Sequence, residues 1–398
     1  MNMKPIAPTR LDRAIAAVSP AWAVRRLRDR AAYQAIAGGY TGARKDRRGT
    51  LTWKPAGGSA DADLLPDLPT LRARSRDLVR NAPLACGALG TLTTNVVGTG
   101  LQAQPQIDRE VLGLDDAAAD RWERAAERVW KGWAESDECD VTRGARFSDL
   151  QSLAFRSAME SGDVFAIKRW MGLEARRYGY ALQLIEADRV ENPGFMRDGA
   201  PLPSGNSVAG GVERNRDGTP IAYHVLERHP GGLEMTAPSR TWTRLPVFTP
   251  SGIRAVLHLF VRLRPDQARG VPYLAPVIES LKELDRYTEA ERMAAVVSAM
   301  FTVFVKTESG VGLAPATPRS ETAAAAGDED YKLGTGAIVD LAQGEDVTIA
   351  NPGRPNDAFD MFVMAILRQV ASALELPLEL LIKHFTASYS ASRAALLE

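Results

Sequence analysis

The sequence is poor in the residues that hold metals and disulfides. It has two cysteines, Cys86 and Cys139, and four histidines among 398 residues. Two cysteines cannot build the disulfide framework of a secreted scaffold, and no Cys/His group has the spacing of a zinc site. We therefore expect a reducing compartment and no metal, and we interpret both thiols as small buried apolar side chains.

Long apolar runs are also missing. No segment approaches the ~18 uncharged residues of a membrane-spanning helix. The best early candidate, AIAAVSPAWAV, leads into RRLRDR and not into a small-residue cleavage site, so we predict neither membrane insertion nor export. With 45% hydrophobic and 25% charged residues, the composition is that of a globular chain with two or three packed units.

The common catalytic motifs are absent as well. The chain has no G-x-x-x-x-G-K-[ST] phosphate loop, no G-x-S-x-G or S-x-x-K nucleophile motif, and no H-E-x-x-H zinc motif. We interpret its clustered carboxylates as helix caps and turns, and these are Glu160, Asp163, Glu186, Asp188 and Glu191. We expect no catalytic centre and no cofactor.

Charge is distributed unevenly along a chain whose formal net charge is zero. Residues 1–50 carry eleven Lys or Arg against three Asp, a net +8, so the remainder carries −8. Two interpretations stay open: a solvated tail, or an arm that contacts nucleic acid or an acidic protein surface.

Hydrophobic periodicity predicts an α+β fold in the first two thirds of the chain. Two helices separated at Pro83 should precede a strand near residue 100, and amphipathic helices should follow over residues 115–140 and up to Gly162. Alternating segments then predict mainly antiparallel strands, which are VFAIKRW, YALQLIEADRV, PIAYHVLERH and IRAVLHLFVRL.

The last third predicts two long helices with an insertion between them. The first helix, near residues 274–304, begins with alternating charged and apolar residues and ends almost wholly apolar. An acidic, Ala- and Gly-rich segment follows, with two short strands expected to meet at Gly344. The second helix must bend at Pro377 because proline lacks the amide that the helix needs.

The segment KHFTASYSASR follows this bend. It combines Lys383 and His384 with five hydroxyl side chains between Thr386 and Ser392. A hydrolase could use His384 with Ser390 or Ser392, whereas a polar helix cap or an exposed contact segment would need no chemistry at all. The residues alone leave these alternatives open.

Five stretches together resemble the lambda-like family of tailed-bacteriophage portal proteins, from about residue 70 to the end. They are RARSRDLVRNAPLACGALGTLTTNVVGTGLQAQ, SLAFRSAMESGDVFAI, LIEADRVENP, RPDQARGVPYLAPVIESLKELDRYTEAERMAA and ALELPLELLIKHFTASYSASRAALLE. No single stretch is diagnostic, but their order and spacing fit the family. Members are expected to continue further, so we expect this chain to lack a C-terminal part.

The resemblance implies a portal-type α+β subunit. Its parts would be a flexible basic arm (1–65), an α+β wing (66–270), a first stem helix (271–305), a small α/β clip (306–352), a second stem helix (353–382), a tunnel loop (383–392) and the start of a further helix (393–398). Stem residues implied in this way are Glu279, Lys282, Glu283, Arg286, Val297, Phe301, Phe362 and Ile366. The loop residues implied to face DNA are Lys383, His384, Phe385, Thr386, Ser388, Ser390, Ser392 and Arg393.

The resemblance also implies a function without catalysis. Portal subunits form a homo-oligomeric ring, typically of twelve, at one vertex of the virion capsid, and the ring conducts double-stranded DNA without reading its sequence. The implied partners are the terminase large subunit, head-completion proteins, and the major capsid and scaffold proteins, with assembly in the host cytoplasm. The alternatives are another head–tail adaptor or minor capsid protein and, third, the hydrolase.

Overall fold

The computed structural model describes residues 9–36, 48–55, 57–174, 176–233, 240–299, 303–307, 345–349 and 359–384. The chain divides into two compact units, Met1–Ser59 and Ala60–Glu398. Within the described ranges, no helix has both the length and the hydropathy that a membrane-spanning segment needs.

The first unit contains a helical hairpin. Helix α1 spans Arg10–Val18 and α2 spans Pro20–Ile36. Asp12 is buried between them, where it completes a capping box with Thr9 and pairs with Arg26 and Arg30. Hydrogen bonds from Thr9 lower the pKa of Asp12 to about 2. Residues 10–36, expected in a flexible arm, therefore form a hairpin closed by a buried carboxylate.

Six helices open the second unit. They are α3 (Ala60–Leu64), α4 (Leu68–Asn81), α5 (Pro83–Val96), α6 (Arg109–Leu112), α7 (Asp116–Ala134) and α8 (Phe147–Ser161). Proline at the first position of α5 separates it from α4, as the sequence predicts. The strand predicted near residue 100 is wrong, because residues 97–108 form no strand. Cys86 is exposed on α5, which corrects its interpretation as a buried side chain, whereas Cys139 is buried.

Eight strands form two antiparallel sheets. They are β1 (Asp163–Trp170), β2 (Tyr180–Glu186), β3 (Ala200–Pro201), β4 (Ser207–Ala209), β5 (Val212–Arg214), β6 (Pro220–Leu226), β7 (Trp242–Pro246) and β8 (Val256–Phe260). The first sheet has the order β2-β1-β8 and the second runs from β3 to β7 in sequence order. The mixed fold with antiparallel strands agrees with the prediction.

Strand β1 lies between two cores because its side chains alternate between the faces of the sheet. Phe165 and Ile167 pack with Tyr223 and other residues of the second sheet, whereas Val164 packs against α8. The first sheet is thus covered by a helix on one face and by the second sheet on the other.

The chain ends in elements shorter than predicted. They are α9 (Ile278–Ala299), β9 (Val303–Thr307), β10 (Glu345–Ile349), α10 (Phe359–Ala373) and α11 (Leu378–Ile382). The first long helix, predicted over 271–305, is α9 up to Ala299, whereas Val303, Phe304 and Val305, whose β-branched or aromatic side chains favour strands, belong to β9. Strand β9 pairs antiparallel with β10, Val303 opposite Ile349. Residues 337–343, expected as the partner of β10, lie outside the described residues.

A second core joins α4 and α5 to these late helices. Leu78 of α4 and Leu89 of α5 are buried together with Leu281 of α9, Val370 of α10 and Leu381 of α11. Helices α9, α10 and α11 are therefore anchored on the helices that open the unit.

Candidate functional site

The bend after α10 is the local structure that carries Lys383 and His384. Glu375 adopts a positive φ of 50°, Pro377 is the N-cap of α11, and Lys383 is its C-cap in the left-handed region with a φ of 54°. The Lys383 and His384 amides both donate to the carbonyl of Glu379, and both side chains are exposed. The bend therefore presents a cation and an imidazole to solvent.

The bend rests on packed apolar side chains. Leu374 and Leu381 are buried in the core that α5 shares with α9 and α10. The Tyr273 hydroxyl donates a hydrogen bond to the carbonyl of Leu374. Burial raises the pKa of Tyr273 to about 12, so the hydroxyl stays protonated and remains a donor at neutral pH. Lys383 and His384 thus project from a fixed base.

Most of the loop predicted to face DNA lies outside the described residues. Phe385, Thr386, Ser388, Ser390, Ser392 and Arg393 belong to that part of the chain, so a pairing of His384 with a serine stays a hypothesis. Within the described ranges, no group of three or more His, Cys, Asp or Glu side chains is arranged to hold a metal.

The first half of α9, which the sequence predicts to be partly exposed, carries charged side chains that face solvent. Glu279, Lys282, Glu283 and Arg286 of α9 are all exposed, and they border a groove of about 700 Å³ between α9 and α4. They alternate with Leu281 and Leu284, which are buried. The start of α9 is therefore amphipathic.

Further along α9, apolar side chains are open to solvent. Met293 is 57% exposed and Val296 is 48% exposed. The side chain of Val297 and the whole of Phe301 lie outside the described part of the structure. The exposed pair is the described portion of the apolar surface that the sequence predicts for the second half of this helix.

Helices α9 and α10 meet through aromatic rings. Tyr287 stacks on Phe359 with ring centroids 5.6 Å apart and meets Phe362 edge-on at 5.0 Å. Ile366, one turn after Phe362, packs on the buried core. Phe362 and Ile366 therefore lie on the α10 face that joins the two helices.

A buried carboxylate organises the interior, which corrects the interpretation of Asp163 as only a cap or turn residue. Asp163 begins β1 but has no exposed surface. Arg269 reaches its two oxygens with Nε at 2.6 Å and Nη2 at 3.0 Å, Arg72 contacts Oδ1 at 2.9 Å, and Nε2 of His258 lies 3.2 Å from Oδ2. We call these four residues the Asp163 cluster.

Electrostatics within the cluster favour an ionised carboxylate. Burial raises the pKa of Asp163, but the charges of Arg269 and Arg72 lower it more, so that its pKa lies well below the usual range. Burial, together with the like charge of Arg269, lowers the pKa of Arg72 to about 10. Burial lowers the pKa of His258, which therefore stays neutral at pH 7. Two cations thus surround one anion.

The Asp163 cluster joins stretches that are distant in sequence. Arg269 also donates to the carbonyls of Ala187, Val190 and Gly210. Arg72, Asp163, Ala187 and Arg269 each come from a different one of the stretches quoted above. The meeting of these residues in the interior was not predictable from the sequence, because no local pattern distinguishes a buried arginine from a solvated one.

The backbone around the cluster needs two glycines. Gly162 has a φ of 91°, and a Cβ there would lie 2.4 Å from the carbonyl oxygen of Gly270. A Cβ on Gly270 would lie 1.9 Å from the carbonyl oxygen of Gly162. Only glycine at both positions lets the chain that leads into α9 pass this close to the start of β1.

Comparisons with known proteins agree on one family. A family model described as phage portal protein, lambda family, matches residues 46–398. Portal protein B of Escherichia phage lambda is 25% identical over 388 residues, covering 93% of this chain and 70% of its own length. The portal protein of Escherichia phage N15 gives the same identity and coverage.

The fold is shared by a solved structure. The neck of an empty GTA particle, computed with C6 symmetry, contains a chain with a TM-score of 0.53 and 15% identity, covering 90% of this chain and 81% of that chain. At this identity the likeness shows the mixed helix and sheet fold alone.

Proposed function

Because this chain belongs to the lambda family of phage portal proteins, we propose that it forms a ring at one capsid vertex and that double-stranded DNA passes through the ring during packaging and ejection. A ring of identical subunits needs a head-to-tail interface whose rotation closes. The subunit number of twelve expected from the resemblance is part of the proposal. The role is structural, and no catalytic residue is assigned.

The division into wing, stem and clip is supported by how the late elements connect. Helix α9 leads into β9, and β10 leads back towards α10. Because β9 and β10 pair with each other, Thr307 at the end of β9 lies opposite Glu345 at the start of β10. With α9 and α10 in contact through Tyr287, this is the arrangement expected of a two-helix stem with a clip at its tip.

The proposed contact with DNA is supported by one observation. Within the bend at residues 374–384, Leu374 and Leu381 are buried in the core, whereas Lys383 and His384 are exposed. A segment that touches moving DNA has to hold its position under load, and buried Leu374 and Leu381 provide the anchor. We extend the role to the predicted loop residues, namely Phe385, Thr386, Ser388, Ser390, Ser392 and Arg393.

The composition of this loop fits a channel through which DNA slides better than a site that binds DNA tightly. Duplex DNA carries one charge per about 1.7 Å, and each tight Lys or Arg contact adds affinity by counterion release. A few cations among short hydroxyls make transient phosphate contacts that do not depend on sequence. We therefore expect weak, collective contacts with passing DNA.

The partners follow from the same proposal. The clip would dock the terminase large subunit during packaging and head-completion proteins afterwards, while the wing would contact the major capsid and scaffold proteins. The protein would be a virion component assembled in the host cytoplasm.

Imaging the purified chain by negative-stain electron microscopy tests the proposal. Rings with a central channel wide enough for a DNA duplex are the expected result. Compact monomers at high protein concentration would contradict it and favour the alternative of a head–tail adaptor or minor capsid protein.

A further inference from the structure

An open aromatic groove lies on a part of the fold that the conduit role does not use. Helix α7 and the turn between β1 and β2 form a groove of about 700 Å³. Its lining is Trp122, Ala125, Ala126, Val129, Trp130, Trp133, Trp170, Tyr178, Gly179 and Tyr180. We call it the α7 groove.

The groove exposes side chains that a folded protein normally covers. Trp122 is 53% exposed, Val129 is 64% exposed and Trp170 is 82% exposed. At the base, the Trp133 indole donates to the carbonyl of Tyr180 at 2.8 Å, which fixes the floor. A rigid floor with open tryptophan walls is typical of a preformed binding surface, since tryptophan is enriched among the residues that dominate binding energy.

Unpaired cations border the groove. Arg121 and Arg128 precede Trp122 and Val129 and lie two turns apart on one flank of α7, and both are exposed. Arg177, also exposed, lies over the ring of Tyr178 on the other wall, 5.3 Å from its centroid. Within the described residues, none of the three makes an ion pair.

We propose that the α7 groove binds an amphipathic helix that carries carboxylates along one flank, supplied by another protein of the particle. The groove extends from Trp122 to Trp133, which is about 16 Å or three helical turns. Apolar side chains at helical spacing would fill the groove, and the carboxylates would face Arg121 and Arg128.

The charges make two other occupants poorer fits. The exposed side chains of Leu259 and Leu263, in and just after β8 at the far edge of the same sheet, flank Arg262, and residues 1–50 carry +8. These surfaces of a second copy would therefore meet like charge. Nucleic acid is disfavoured because α7 as a whole carries four basic and four acidic residues, so the groove lacks the extended positive field that a phosphate backbone needs.

The inference goes beyond the conduit role and does not depend on ring formation, since it uses none of the stem or loop residues. It is tested by a designed helical peptide of about 18 residues with Leu and Phe at the groove-facing positions and Glu on one flank. A matched peptide carries Lys in place of each Glu. Binding is followed by the tryptophan fluorescence of the full chain and by calorimetry.

The expected result is that the Glu peptide binds and the Lys peptide binds at least about tenfold more weakly, with the gap narrowing at high salt because screening weakens the rim charges. Arg121→Glu together with Arg128→Glu should reverse the preference. Arg124→Glu is the control, since Arg124 lies on the same helix but already pairs with Asp120 at 4.0 Å.

Equal binding of both peptides, or binding of neither, would overturn the proposal. A second variant, Val129→Asp, should abolish peptide binding while leaving rings in size-exclusion chromatography with light scattering. Loss of rings by Val129→Asp would instead show that the groove is a subunit interface. Release of the bound peptide by single-stranded DNA would show a nucleic-acid site.

Discussion

At the residue scale, the Asp163 cluster stabilises the fold and depends on complete pairing. Two buried arginines share one buried carboxylate, and each partner comes from a different part of the chain. Such clusters contribute modest net stability when intact, but removing one partner leaves a buried charge uncompensated.

Asp163→Asn should therefore lower the free energy of unfolding by about 3–5 kcal/mol, because the neutral amide leaves Arg269 buried without its anion and leaves Arg72 only its pairing with Asp188 at 3.6 Å. Urea denaturation of the variant beside the parent measures the change. Asp217→Asn is the matched control, since Asp217 lies in an exposed turn. Equal stability of the Asp163 variant and the parent would show that water or another carboxylate compensates the arginines.

A second buried carboxylate predicts a pH dependence. A hydrogen bond from Arg244 lowers the pKa of Glu213 from 4.5 to about 2. Because the folded pKa lies below the unfolded one, ionised Glu213 stabilises the fold above pH 4.5, and this contribution is lost as the pH falls towards 2.

The difference in unfolding free energy between the parent and Glu213→Gln should therefore shrink as the pH falls from 4.5 to about 2. Denaturant titrations over this pH range measure it. A difference that does not change over this interval would mean that Glu213 is not held ionised by Arg244.

At the scale of elements, the bend after α10 couples packing to the proposed contact with DNA. Its base is buried and its tip is exposed, so substitutions at the tip should alter the interaction with DNA without altering the fold. This separation makes the loop accessible to charge substitutions.

Ser388→Arg together with Ser390→Arg should slow DNA packaging, most at low salt, because two added cations per subunit multiply phosphate contacts around the ring. An in vitro packaging assay over a salt series measures this. Ser388→Ala together with Ser390→Ala is the control. If the arginine variant packages DNA as fast as the parent at every ionic strength, this loop does not face the channel.

The same packaging assay distinguishes the proposed DNA channel from the alternative in which His384 is a catalytic residue of a hydrolase. His384→Ala should reduce packaging only modestly, because the loop contacts act collectively. Loss of one member of a nucleophile–base pair typically costs several orders of magnitude, so a loss of that size would point to chemistry at His384.

At the scale of the whole molecule, we propose that the exposed apolar part of α9 serves ring assembly. Met293 and Val296 are open in the single chain, and such surfaces are usually covered by a partner. In the proposed ring, a neighbouring subunit covers them.

Val296→Asp should therefore abolish rings while leaving the melting temperature of the subunit nearly unchanged, because Val296 is already 48% exposed. Size-exclusion chromatography with light scattering measures the assembly. Val111→Asp, at an 80% exposed valine of α6, is the control. Intact rings would place the interface elsewhere, with Val297 the next position to test.

The N-terminal unit gives a prediction at the same scale. Removing residues 1–59 should leave the melting temperature of the remaining chain nearly unchanged, because the hairpin closes on its own Asp12 and forms a compact unit by itself. Salt-sensitive binding to DNA or to an acidic protein should weaken. A large loss in calorimetric melting temperature would show that the hairpin supports the second unit.

The sequence by itself determined the elements whose signal is local. Proline at 83 and 377, glycine at 162 and the alternation of β1 each act on the few residues around them, so their effects were predictable. The family was also predictable, because five ordered stretches are compared together. Exposure of Glu279 and Arg286 followed from the helical period alone.

Tertiary structure alone decided what depends on distant partners. Strand β9 occupies residues where the sequence predicts a continuing helix, and its partner β10 begins 38 residues after β9 ends. The Asp163 cluster joins residues up to 197 positions apart, Arg72 and Arg269. Burial of a side chain, unlike hydrophobic periodicity, depends on which distant residues pack against it. For this reason the α7 groove could be recognised only in the folded molecule.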